Sequence, residues 1–201
     1  MKIAIIGAHG TFKTTLIYFL AGVLTAKGKN VGIIREVARA CPYFKREHGN
    51  ILAQNWIILT QAQWERDFQD RYDYVLCDRA LVDNFMYTQE AYENEGEEIP
   101  GWIEPFVLHH MKSYNFVFKT PLSPQGLIND GVRSTDRKWQ EQIDEKLKSY
   151  CQEKEINYTE LPVSDASEFD DIVGYATRQA KFMANKVIDM DVQTRIAEKY
   201  Y

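Results

Sequence analysis

Nine consecutive residues near the start of the chain concentrate chemistry: Gly7, Ala8, His9, Gly10, Thr11, Phe12, Lys13, Thr14 and Thr15. The first glycine, the lysine and the threonine after it stand at the spacing GxxxxGK[ST] of a phosphate-binding loop. In such a loop successive backbone N–H groups converge on phosphate oxygens, and the helix N-terminus behind them adds partial positive charge. Lys13 would reach the β- and γ-phosphates of ATP, and the Thr14 hydroxyl would ligate Mg²⁺, a hard ion that prefers oxygen. Gly7, His9, Gly10, Thr11, Phe12 and Thr15 complete the candidate nucleotide contacts. Phe12 departs from the pattern, because it stands where the motif has its second glycine and where backbone normally approaches phosphate closely. Its ring is expected to turn away from the phosphates, with Gly10 supplying part of the missing freedom. The plain alternative is a strand–turn–helix with an incidental lysine.

Further candidates lie downstream. Glu36, followed by Arg39, could serve as general base or Mg²⁺ partner; otherwise Glu36 is a solvated helix start. Asp78 ends an apolar run and could hold Mg²⁺ through water, with Arg79 beside it to contact an acceptor or its phosphate; otherwise Asp78 caps a helix. Gln54, Gln61 and Gln63, near Trp56 and Trp64, could read a base edge or a ribose, although such a stripe is more often core. Arg133 and Arg137 sit four apart after a segment broken by Pro121, Pro124, Gly126 and Gly131. That suits a lid over residues 121–137 that closes on a transferring phosphoryl group; a surface loop with arginines is the bland version.

These residues need positioning, and the order of apolar runs supplies the frame. Residues 2–6, 31–34, 72–77, 115–119 and 157–161 read as short strands separated by helix-like sequence. Between the first two, Leu16, Phe19, Leu20, Val23 and Leu24 recur at helical spacing and Gly28 ends the pattern. Residues 37–44 and 51–68 also read as helical. Alternating strands and helices predict an α/β fold, a parallel five-stranded sheet with helices on both faces. Ligands of such sheets sit beyond the carboxyl ends of the strands, which is where the candidates above fall, apart from the glutamines on the helix over 51–68. Residues 1–185 are expected to form one domain, with 186–201 as a charged tail that packs as a helix or mediates self-association, for instance in a homodimer.

Composition narrows the partners. With 24 basic and 29 acidic residues the formal charge is −5, which lacks the basic footprint of a general nucleic-acid binder. At 45% hydrophobic and 26% charged the chain reads as globular, and not disordered. Three scattered cysteines form neither a disulfide framework nor a zinc site, which fits a reducing cytoplasm. No apolar run approaches the ~20 residues of a membrane span, and residues 1–7 make too short a segment for a signal peptide.

Taken in order, the phosphate loop, Glu36 to Arg39, the Cys77, Asp78, Arg79 strand end, and Asp130, Gly131, Val132, Arg133 resemble the P-loop nucleoside/nucleotide kinase-like ATPases grouped with the ribosylnicotinamide kinase domain. Thymidylate and deoxynucleoside kinases are more distant look-alikes. The resemblance spans about residues 1–180. It implies ATP as donor, Mg²⁺ as cofactor, a nucleoside- or nucleotide-type acceptor, Lys13 and Thr14 in the family's phosphate and metal roles, Arg133 as lid arginine, and residues 163–167 packed against adenine. The expected activity is a small-molecule kinase. A nucleotide-binding switch protein without an acceptor is the runner-up, and a P-loop scaffold that binds no nucleotide comes third. Glu36 and the lid arginines favour the kinase, because a mere binder needs neither.

Overall fold

In the computed structural model, residues 1–43, 50–123, 136–163 and 165–200 are described. The strands are β1 (Lys2–Ile6), β2 (Val31–Ile34), β3 (Tyr74–Asp78), β4 (Phe116–Lys119) and β5 (Thr159–Glu160). Among the described residues the helices are α1 (Lys13–Ala26), α2 (Ile51–Gln69), α3 (Leu81–Glu95), α4 (Ile103–Met111), α5 (Arg137–Glu153) and α6 (Ile172–Tyr200). The strands form one parallel sheet in the order β2-β3-β1-β4-β5, the expected α/β architecture.

β1 is buried along its whole length because both faces of the sheet are covered. Ile3 and Ile5 pack with Leu16, Leu20, Leu24, Tyr175 and Met183 of α1 and α6. Ala4 and Ile6 belong to the opposite core, with Ile57, Phe85, Val107 and Leu147 from α2, α3, α4 and α5. Each fully buried aliphatic side chain contributes roughly 1.5–3 kcal/mol, so the amino-terminal strand is anchored from two sides. Its register sets Ile5 opposite Asp78 and Ile6 opposite Lys119. The loop after β1 therefore opens between the ends of β3 and β4, where the strand order reverses.

Several boundaries differ from the sequence reading, each for a local reason. The helical pattern expected over 37–44 is one 3₁₀ turn, Val37–Ala40; Cys41 is extended and Pro42 has no N–H to continue the turn. The third strand starts two residues later than expected and runs one further, so that Asp78 is its last residue. β5 keeps only two residues as an edge strand. α6 runs through residue 186 without a break; Val187 is fully buried, and Asp191 accepts hydrogen bonds from Lys29 Nζ (2.9 Å) and Tyr74 Oη (2.7 Å). No described helix is long and apolar enough to cross a membrane.

Candidate nucleotide site

The loop from Gly7 to Phe12 joins β1 to α1 in a conformation that its sequence only partly favours. Gly7 has φ +139, and a Cβ there would stand 2.3 Å from Thr120 Oγ1, so only glycine fits. Gly10 has φ 72 and Phe12 φ 61, both left-handed. A phenylalanine thus adopts the backbone normally reserved for the motif's glycine. Its ring does leave the loop as expected: it packs against Phe169, centroid to centroid 6.3 Å, at the edge of the α1–α6 core. The Phe12 carbonyl accepts from Leu16 N–H at 2.9 Å and starts α1. Thr15 lies in the helix's first turn.

Neighbours fix the rest of the loop. Thr11 Oγ1 donates to Ala8 O at 2.9 Å and is 2.7 Å from Thr120 Oγ1. His9 N–H donates to Tyr87 Oη (3.1 Å), Gln140 Nε2 donates to His9 O (2.5 Å), and the His9 ring lies 4.6 Å from that of Trp139. α3 and α5 thereby grip the loop from outside. Lys13 is folded over it, with Nζ donating to Ala8 O at 2.5 Å. Burial, with the Arg79 guanidinium nearby, pushes the Lys13 ammonium down to about 7, against the pull of Asp83, Asp78 and Glu36. An anionic phosphate would supply the counter-charge that this buried cation lacks.

At the end of β3, Asp78 Oδ2 accepts from Thr14 Oγ1 at 2.6 Å. Asp78 Oδ1 is buried with no hydrogen-bond partner among the described residues. Burial, then the Glu36 charge, raises the carboxyl above its ordinary range, while Lys13 and Thr14 oppose this. Among the described residues no cluster of three His, Cys, Asp or Glu side chains forms, so no all-protein metal cage exists there. A hydroxyl joined to a buried carboxylate with an unsatisfied oxygen fits Mg²⁺, which keeps water and substrate phosphates as further ligands.

Arg79 and Glu36 face each other beside this pair. Arg79 Nη2 and Nε donate to Glu36 Oε1 at 3.1 and 3.2 Å, and Nη1 donates to Asp83 Oδ2 at 3.2 Å. Nη1 also reaches Gly7 O at 3.4 Å, which ties the pair to the phosphate loop. Tyr87 lies under the guanidinium at 5.0 Å. Arg39 Nε donates to the second Glu36 oxygen at 3.1 Å. Glu36 is 8% exposed, so the alternative reading as a solvated helix start does not apply.

The structure therefore brings together Lys13, Thr14, Glu36, Asp78 and Arg79. It does not bring Arg137 to them: that guanidinium donates to Ser123 O (2.6 Å), Gln140 Oε1 and Glu141 Oε1. Asp130, Gly131 and Arg133 lie outside the described residues. Asp83, Tyr87 and Gln140 escaped the sequence reading. Asp83 had a signal, since it stands four residues after Arg79 at a helix start; Tyr87 and Gln140 had none. Of the glutamines, Gln61 is fully buried and hydrogen-bonded, and Gln54 is buried on the same helix.

A strand ending in a phosphate loop, with a β3 aspartate on the threonine after its lysine, defines a P-loop nucleotide-binding fold. A family model described as an AAA domain matches residues 2–168, and the chain belongs to that family. No curated protein sequence matches significantly. Among solved structures, the chain is similar to deoxyadenosine kinase from M. mycoides with products dCMP and a flexible dCDP bound, with TM-score 0.63 and 17% identity over 94% of this chain and 100% of that one. The same kinase with bound dCTP gives TM-score 0.61 at 17% identity over 94% and 100%. NadR protein in complex with NR gives TM-score 0.59 at 18% identity over 81% of this chain and 46% of NadR. The fold is thus that of P-loop nucleoside kinases.

Proposed function

We infer that the protein is an ATP-dependent small-molecule kinase that phosphorylates a hydroxyl of a nucleoside-type acceptor. The observation that carries this reading is the buried Glu36–Arg79 pair, tied to the phosphate loop through Gly7 O. A protein that only binds nucleotide has no use for a buried carboxylate there. Glu36 would take the acceptor's proton as its oxygen bonds to the γ-phosphorus and the bond to the β-phosphate oxygen breaks, releasing ADP. Arg79 would hold Glu36 and the acceptor oxygen in line. Lys13 and the backbone N–H groups of the loop would hold the β- and γ-phosphates, with Thr14 and Asp78 as the Mg²⁺ ligands. When bound, Mg²⁺ neutralises charge that develops on the phosphate oxygens. Arg133 is proposed as the lid residue that meets the transferring group. Arg137 would secure the base of that segment through Ser123, and residues 163–167 would lie against adenine.

The engagement of Arg79 supports an unphosphorylated acceptor over a nucleotide. Among the described residues its guanidinium is already shared by two carboxylates, Glu36 and Asp83. Gln54, buried on α2, is the candidate reader of the acceptor's base. Replacing Glu36 by Gln tests the reading: kcat should fall by about a hundredfold or more, with the Kd of MgATP within twofold of wild type. Unchanged kcat would remove Glu36 from catalysis.

A further inference from the structure

Arg79 has φ 89, the left-handed backbone that a residue with a side chain keeps only when its surroundings hold it there. Among the described residues, each of the two backbone polar groups of Arg79 is held by a hydrogen bond. Arg79 N–H donates to Ile5 O at 3.1 Å, which fixes the entry. At the exit the Arg79 carbonyl accepts from the side chain of Gln61 on α2, Nε2 to O 2.8 Å. The same Nε2 donates to Glu65 Oε1 at 2.9 Å, while Gln61 Oε1 accepts from Asn84 Nδ2 at 2.6 Å. A carbonyl and a carboxylate at one end and an amide donor at the other leave the Gln61 amide a single orientation.

Gln61 is held in turn by a buried charged cluster that phosphoryl transfer does not use. Glu65, with 0% exposure, accepts from Lys2 Nζ (2.8 Å) and Tyr114 Oη (2.6 Å) and lies 2.7 Å from His110 Nε2. Lys2 comes from β1 and lies 4.5 Å from the centroid of the Tyr114 ring. Such a cluster is weak evidence of stabilisation in itself. Its effect here is geometric, because it makes Glu65 a fixed point against which Gln61 is braced.

We propose that Gln61 is the positioning residue of Arg79: by holding the Arg79 carbonyl it fixes the left-handed turn that aims the guanidinium at Glu36 and Asp83. Glu65 and Asn84 fix Gln61. The catalytic consequence rests on the kinase reading above; the geometric claim does not.

The test uses the full chain labelled uniformly with ¹⁵N and the variants Gln61→Leu and Gln61→Glu. The second keeps the shape of the side chain and removes both donors. In wild type the Arg79 Nε–H, which donates to Glu36, should exchange slowly with solvent. In both variants it should exchange about tenfold faster, while β1 backbone amides in the same sample keep their protection. Turnover should show kcat reduced by about a hundredfold with the Kd of MgATP unchanged. Wild-type protection of Arg79 in both variants would overturn the proposal, as would loss of protection shared equally by the β1 amides. Should the variants not fold, the side-chain amide protons of Gln61 in wild type decide: protection supports the brace and fast exchange overturns it. If Arg79 loosens in the variants but wild type phosphorylates no acceptor, the positioning role stands and only the kinase reading fails.

Discussion

Phe12 shows what a phosphate loop needs at its second glycine. The position requires φ near 60°, which costs a side-chain-bearing residue about 1–2 kcal/mol. Here that cost is offset by packing of the ring on Phe169, which itself packs on Tyr175 at 4.8 Å. Replacing Phe12 by Gly should therefore lower the melting temperature, since the lost ring contact outweighs the relieved strain, and leave the Kd of MgATP unchanged or tighter. Phe12→Ala loses the ring and keeps the strain, so it should be less stable than Phe12→Gly by about 1 kcal/mol. Denaturant titration and calorimetry check both. A markedly weaker Kd in the glycine form would mean that the ring touches the nucleotide. Lys13 makes the complementary case. Its ammonium is buried and, among the described residues, donates to loop oxygens alone, Ala8 O and Thr11 Oγ1. Lys13→Ala should weaken MgATP by about a hundredfold or more, from loss of a charged contact of about 3 kcal/mol, with the far-UV circular dichroism spectrum preserved. Unchanged affinity would show that the loop is not a phosphate site.

Two elements, α2 and the β3–α3 turn, meet at Gln61, and the pH dependence of stability belongs to Glu65, which braces it. Burial alone would raise the Glu65 carboxyl, but His110 and Lys2 outweigh it and hold the group below its ordinary 4.5. A depressed carboxyl contributes stability above its unfolded value, and that contribution is lost as pH falls through the folded value. Glu65→Gln, which leaves Lys2 buried without its anion, should cost about 3–5 kcal/mol near neutral pH. The deficit should shrink below pH 4.5, where wild type loses the same interaction; melting curves from pH 7 down to 3 measure it, and a deficit independent of pH would contradict the assignment. This junction also marks how far the sequence could be read. β1, the loop and α1 were legible because an apolar run, a Gly-x₄-x-Lys-Thr spacing and a helical period agree over a short stretch. Glu36, Asp78 and Arg79 were legible because each follows a strand. The roles of Gln61 and Glu65 were not, since their partners Arg79, Asn84, Lys2, His110 and Tyr114 come from distant parts of the chain. A lysine in a fully buried strand was the one visible anomaly. The grip of Tyr87 and Gln140 on His9 escaped for the same reason, and the short 3₁₀ turn after Glu36 because periodicity extended past Pro42.

For the molecule as a whole, α6 ties the carboxyl-terminal residues to the sheet, through Val187 in the core and Asp191 on Lys29 and Tyr74. Ending the chain after residue 185 should lower stability by about 3 kcal/mol, the sum of one buried aliphatic side chain and a charged hydrogen bond. An unchanged denaturant midpoint would instead make 186–201 an appendage. MgATP at a hundred times its Kd should add about 2.7 kcal/mol, visible as a thermal shift that Lys13→Ala abolishes; no shift in wild type would favour a scaffold that binds no nucleotide. The central claim joins the phosphate loop to an acceptor-side base. Its most direct test is ADP release from MgATP in the presence of a panel of nucleosides and their monophosphates. At least one nucleoside should raise the rate well above the background without acceptor, and its monophosphate should not. A rate that no member of the panel changes, in a protein that binds MgATP, would contradict the claim and leave a nucleotide-binding protein without a nucleoside acceptor.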